Sequence, residues 1–219
     1  HVEGAAPPPM SLARRLLGQA AHSTLGQVVS MTSSIARIAV AAHALDASSN
    51  GMWLGLQLFL SYGVNLHCGA LFALFRSVPM LRAQGRDGEA KDEIRTAFSF
   101  VLIVAVLAAP VLYALIGWTL HDVAPRDAAI VALLVGVQLL RSFYTTIYRA
   151  ESRFKEQATA VLSGSAVAFV SLPLIWLWGL DGLLASTAAQ AIVELSFLAR
   201  GANVPGLSIS RTVLVRQVR

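Results

Sequence analysis

Long apolar stretches separated by short polar ones run through the whole chain. Six apolar stretches stand out, at residues 19–44, 52–75, 97–120, 128–148, 158–180 and 183–198. Each approaches the roughly 20 residues that a helix needs to cross the hydrocarbon core of a bilayer. The polar breaks carry turn chemistry: Asp46, Ser48, Ser49, Asn50 and Gly51 after the first stretch, HDVAPRD at 121–127, RAESRFKEQ at 149–157 and GLDG at 179–182. The longest break is RSVPMLRAQGRDGEAKDEIR at 76–95, read as a loop, with Arg76 and Pro79 closing the second stretch. The pattern predicts an all-α membrane protein, a six-span helical bundle over residues 12–200. Residues 1–11 read as a tail or an expression remnant, and 201–219 as a cytoplasmic connector or a truncated end. Pro110 and Pro173 fall inside the third and fifth spans, where each removes a backbone donor and should bend its helix.

Polar residues inside the spans recur at helical spacing. Ser23, Gln27, Ser30, Ser34 and Arg37 share one face of the first span. Gln57, Ser61, Asn65 and Cys68 do so in the second, Gln138, Arg141, Ser142, Thr145 and Arg149 in the fourth, and Ser186, Gln190 and Glu194 in the sixth. A serine or threonine can satisfy itself on its own helix. Amides and charges are costly in hydrocarbon and turn toward other helices or water. Four such faces predict a shared hydrated cavity, the alternative being a dry bundle glued by interhelical hydrogen bonds. Arg37 is read as an anion-attracting position on the cavity wall. Glu194 is its counter-ion or a proton-coupling carboxylate, and the sequence leaves both open.

Composition sharpens the class. The chain is 56% hydrophobic and only 13% charged, against about 25% in soluble domains, and its mean hydropathy is +0.64. The net charge of +5 invites a nucleic-acid reading, but the basic residues sit beside apolar spans and form no stripe. They follow the positive-inside bias instead. With the 76–95 segment inside, the inside segments hold Arg14 and Arg15; Arg76, Arg82, Arg86, Lys91 and Arg95; Arg141, Arg149, Arg153 and Lys155; and Arg200, Arg211, Arg216 and Arg219. These are 15 of the 17 Lys and Arg residues; Arg126 alone is outside, and Arg37 lies within a span. Both termini are then cytoplasmic. Cys68 is the single cysteine, which excludes an intrachain disulfide, and the five histidines show no ligand spacing. No cofactor and no metal site is expected. Paired carboxylates at a membrane face, HExxH and phosphate-cradling Gly-rich loops are all missing, so an enzyme is not expected.

Residues 52–90 resemble the second span and following loop of Wzx-type polysaccharide flippases, relatives of the lipid II flippases and the MATE-type multidrug exporters. The resemblance rests on Gly51 and Trp53 where the span starts, Gly69, Leu74-Phe75-Arg76, Pro79, Gly85-Arg86-Asp87 and Glu89-Ala90. Tyr148 to Phe154 is similar to the family's link between spans four and five, and Gly179-Leu180-Asp181-Gly182 to its turn before span six. His43-Ala44-Leu45 stands where the family tends to have a basic residue, which removes a fixed charge there. The resemblance covers residues 12–200. It implies one six-span lobe, the N-terminal one, of a carrier in the bacterial inner membrane. Such a carrier moves an undecaprenyl-diphosphate-linked oligosaccharide between leaflets by alternating access and has no catalytic residues. The expected partners are the bilayer, the lipid-linked sugar and a second six-span lobe, as a continuation of the chain or another subunit. The expected pathway residues are Gln27, Ser30, Ser34, Arg37, Gln57, Ser61, Asn65, Gln138, Arg141, Thr145 and Glu194. A cation-coupled small-molecule exporter of the same fold is the alternative, disfavoured by an arginine and no acid in the first span. A membrane-bound transferase and a non-transporting scaffold are further alternatives.

Overall fold

The computed structural model describes residues 9–202, with side chains from Thr24 onward. All regular structure in that range is helical. The elements are α1 (Pro9–Ala44), α2 (Ala47–Gly63), a 3-10 turn (Val64–His67), α3 (Ala70–Ala83), α4 (Asp87–Thr119), α5 (Pro125–Ala150), α6 (Phe154–Val170) and α7 (Leu172–Gly201). By length and composition four helices can cross a membrane: Thr24–Ala44 within α1, and α4, α5 and α7. The pair formed by Ala47–His67 and Ala70–Ala83, bent by 44°, makes a fifth if it counts as one span.

Helices extend further into the polar breaks than the sequence pattern implies. The expected 76–95 loop is mostly helix. α3 runs past Pro79 to Ala83, and only Gln84, Gly85 and Arg86 separate it from α4. Charge ends the apolar span there but not the helix, because Arg, Lys and Glu are good helix formers. Asp87 and Glu89 in the first turn of α4 complement its dipole. The turn is a Schellman motif: Arg86 N–H donates to Leu81 O (2.9 Å) and Gly85 N–H to Arg82 O (3.0 Å), with Gly85 at φ 73°. The α5–α6 link repeats it, with Arg153 N–H on Tyr148 O (2.8 Å) and Ser152 N–H on Arg149 O (3.1 Å). Ser152 takes the left-handed position at φ 57°. An ion pair from Arg82 to Glu151 (2.5 Å) joins the two turns.

Other boundaries shift for similar reasons. Asp46 caps α2 by accepting from Ser48 N–H (3.2 Å) and Ser49 N–H (3.4 Å), so the expected 46–51 turn shrinks to Leu45 and Asp46. α1 starts at Pro9, which makes residues 9–11 of the expected tail helical; 1–8 and 203–219 lie outside the described residues. The second span is not continuous. It breaks after His67, where Cys68 (φ 48°) and Gly69 (φ 84°) are both left-handed. α4 runs through Pro110 without interruption, while Pro173 stands at the start of α7, just after α6 ends at Val170.

α7 reverses direction inside its own length. Gly179 adopts φ 57°, ψ −127°, a region open essentially to glycine. Ser171 and Ser186 hydroxyls lie 2.7 Å apart, whereas 15 residues of straight helix would separate them by about 22 Å. A Cβ on Gly182 would sit 2.0 Å from Leu174 O, and one on Gly164 would sit 2.1 Å from Glu194 Cγ. Each of these pairs is centred within a residue of Gly179. Residues 180–201 therefore fold back antiparallel along residues 154–178.

α5 is the centre of the bundle. Val131, Val135, Leu139 and Phe143 are fully buried, with Leu56 and Leu74 from one side, Val101 and Ile116 from another, and Ile175, Leu183 and Leu184 from the hairpin. Gly63 of α2 packs so closely on Val135 that a Cβ would come within 2.6 Å of it. The outer surface is apolar, with Leu54, Val106, Leu107, Val170 and Leu177 exposed. Trp118, Trp176 and Trp178 are exposed near one end, the level at which tryptophans mark a membrane interface. At that end Arg126 pairs with Asp181 and Asp127.

Candidate substrate pathway

A cavity of about 770 Å³ lies among α1, the start of α3, α5, α6 and the end of α7. Its walls come from residues 26–34 of α1, 67–75 around the 3-10 turn and α3, 141–149 of α5, 154–161 of α6, and Glu194 and Leu198 of α7. All of these lie in the half of the bundle that ends at the Gln84–Arg86 and Glu151–Arg153 turns. The half with Trp118, Trp178 and Arg126 contributes nothing to the lining.

Six of the expected pathway residues meet here: Gln27, Ser30, Ser34, Arg141, Thr145 and Glu194, together with Ser142 and Arg149. α1 supplies the hydroxyl wall; Ser34 donates to Ser30 O (2.9 Å), so the face is polar yet self-satisfied. α5 supplies the cations. Arg149 is exposed and Arg141 about a third exposed, and their spacing of eight positions sets them about 12 Å apart along the helix.

Arg141 Nη1 donates to Glu194 Oε2 (2.5 Å), and Gln190 Nε2 donates to Glu194 Oε1 (2.9 Å). Arg37 belongs to the same network but is not part of the lining. It lies one turn beyond Ser34, where it donates to Gln190 Oε1 and to Thr187 Oγ1 (3.3 Å). The expectation that Arg37 sits on the cavity wall is thus corrected: α7 side chains occupy its guanidinium. Its nearest carboxylate partner is reached through Gln190, while Arg141 takes the direct ion pair. Arg37 Nε and Gln138 Oε1 are both buried without a hydrogen-bond partner among the described residues.

The polar face of the second span does not join the cavity. Ser61, Asn65 and Cys68 are exposed, Gln57 is half-buried, and Asn65 Nδ2 donates to Ser61 O (3.2 Å). Beyond the break after His67 the chain turns by 44° and offers Leu71, Phe72 and Phe75 to the cavity instead. Gln138 is likewise outside the lining. Sequence reasoning missed three polar lining residues: Thr146, whose hydroxyl donates to Ser142 O (2.8 Å), His67 and Gln157. His67 is buried at the break, its Nδ1 accepting from Gly69 N–H (3.3 Å). Gln157 falls in the expected polar link, yet it is buried, and with its amide oxygen turned inward it accepts from Arg149 Nε (3.2 Å) and Nη2 (3.3 Å). The spacing of Arg149 and Gln157 gives no signal while the link between them is taken as a loop; only its contraction to three residues brings them together.

At the mouth Arg153 stacks 4.6 Å over the Tyr148 ring and binds Glu156 and Gly201 O (2.8 Å). The Glu156 bond leads the causes that raise the Arg153 pKa above its ordinary value. Tyr148 in turn donates to Leu198 O (2.9 Å), which ties the hairpin to α5. The chain matches no family model, no curated protein and no solved structure.

Proposed function

We propose that this chain is a six-span lobe of a carrier that moves a diphosphate-linked lipid oligosaccharide across the bacterial inner membrane by alternating access. The observation that carries this reading is the pair Arg149 and Arg141, set at successive depths along one polar wall of a cavity confined to half of the bundle, with Arg37 behind that wall on Thr187 and Gln190. A diphosphate headgroup needs a wet path, and guanidinium forks are suited to hold it. The apolar outer surface leaves the lipid tail in hydrocarbon.

The six-span count is supported by the reversal at Gly179. Residues 154–178 would reach about 37 Å as helix and residues 180–201 about 33 Å, each enough for a hydrocarbon core of about 30 Å. Counting the bent α2–α3 pair as one span then gives six. The basic turns at 84–86 and 151–153 belong inside by the positive-inside bias, so the cavity opens toward the cytoplasm. A cation-coupled exporter has one point in its favour, the buried carboxylate of Glu194, but that group is already held by Arg141.

The test is a leaflet-accessibility assay in liposomes with a short prenyl-diphosphate sugar. The double variant Arg141→Gln/Glu194→Gln removes the pair together and keeps the net charge of the cluster, with Arg37 still held by Gln190 and Thr187. Transport should fall at least tenfold while the protein stays folded. Transport at the wild-type rate would reject the pathway.

A further inference from the structure

We propose that Glu194 is a resident anion of the substrate site: the substrate's phosphate charge displaces it from Arg141, and it takes up one proton as it is displaced. The inference rests on reading the cavity as the path of a diphosphate lipid.

Glu194 is 3% exposed, yet its partner Arg141 opens to the cavity. The carboxylate is held in place from every side. α6 presents Gly164, whose missing side chain makes the room for Glu194 Cγ and Oε1. α7 itself presents Gln190. α1 presents Arg37, within electrostatic reach, and α5 presents Arg141. α2, which also packs on α7, carries no charged residue. Elsewhere on the cavity wall are His67 and, at the mouth, Arg149. Arg141 is thus the ion-pair partner of Glu194, and the same fork is the cation deep in the lining that a phosphate entering the cavity would meet.

Charge balance within the buried cluster calls for the proton, because Arg149 is exposed at the mouth, about 12 Å along α5 from Arg141, and lies outside that cluster. Arg37, Arg141 and Glu194 together carry one net positive charge. A diphosphate diester brings two negative charges. If Glu194 stayed ionised, the buried cluster would hold a net negative charge, with a carboxylate stripped of its cation. Uptake of one proton from cavity water forms the neutral carboxyl and brings the cluster to zero. Gln190 still holds the displaced group, and the Gly164 recess still houses it.

The experiment uses the full chain in nanodiscs and, as probe, a short prenyl chain joined through diphosphate to one sugar, which has no proton of its own to lose above neutral pH. Affinity is measured from about pH 6 to about pH 8, and proton uptake by calorimetry in buffers of different ionisation enthalpy. We expect uptake of about one proton and a loss of about tenfold in affinity per pH unit. Glu194→Gln should bind at least as tightly as wild type at about pH 8, with no slope and no uptake. His67→Gln should keep the slope. Binding without proton uptake, or a slope that survives in Glu194→Gln, overturns the inference but leaves the pathway standing. Absence of binding in both wild type and Glu194→Gln overturns both.

Discussion

The glycines that touch polar groups set the tightest limits on single residues. A side chain at Gly164 would drive into Glu194, and one at Gly182 into the carbonyl of Leu174. The first neighbour is a side chain and can yield; the second is backbone and cannot. Gly164→Ala should therefore destabilise by about 1–3 kcal/mol and Gly182→Ala by more. Gly88→Ala, in open space near the start of α4, should be neutral or gain up to about 1 kcal/mol from helix propensity. Thermal unfolding in one detergent checks the order; equal effects at Gly88 and Gly182 would contradict the hairpin. The ion pair gives a second expectation. Arg141→Gln alone strands a buried carboxylate and should cost about 3–5 kcal/mol. Glu194→Gln strands a partly exposed Arg141 and leaves Arg37 on its neutral partners Gln190 and Thr187, and should cost less, as urea or thermal titration of the two variants would show. The polar faces of α1, α5 and α7 were legible because amides and charges at helical spacing have few places to go in a membrane. The pairing was not. Sequence leaves Glu194 open between counter-ion of Arg37 and proton-coupling carboxylate; the hairpin delivers Gln190 and Thr187 to Arg37, and that register depends on where Gly179 turns.

At the scale of elements, the apolar periods located the helical segments but misplaced their ends. Hydropathy reports where a helix meets lipid, whereas helix length also depends on caps and propensity. Asp46 starts α2 early, the charged residues of 87–95 extend α4, and a Schellman turn contracts each basic link to three residues. The break at Cys68 and Gly69 was illegible for a different reason, since no proline announces it. The hairpin makes the sharpest prediction here. Gly179 needs φ 57° with ψ −127°, so Gly179→Ala should cost about 1–3 kcal/mol or more through backbone strain alone. Its effect should persist when Leu45, 3.6 Å from where the Cβ would lie, is trimmed to alanine. Relief by the Leu45→Ala change would instead make the problem steric. The same elements set the topology. Cysteines introduced at Gln84 and Ala124 in a Cys68→Ser background should label oppositely with an impermeant thiol reagent, Ala124 from outside. Labelling of Gln84 from outside would invert the orientation and move the cavity to the other face.

For the whole molecule, the polar face of α2 raises the question of what covers it. Leu54, Leu58, Ser61, Tyr62 and Asn65 are all exposed and fall on one side of the helix. Leu54 and Leu58 suit lipid. Ser61 and Asn65 do not, even with one Asn65 bond returned to the helix, because an amide at membrane depth normally faces protein or water. The cavity points the same way, as the hydroxyl wall of α1 includes exposed Gln27 and Ser34. Alternating access needs a second body against which this one can rock. We therefore predict that a second helical body covers α2 in the membrane. Spin labels placed at Ser61 and Asn65 in native membranes should collide weakly with dissolved oxygen. Labels at Val170 and Leu177, which are among the most exposed apolar positions, should collide strongly, as lipid-facing sites do. A photoreactive residue at Ser61 should crosslink to protein where one at Val170 does not. Strong oxygen collision at Ser61, equal to that at Val170, would mean that α2 faces lipid, and this bundle would then have to work without a second body.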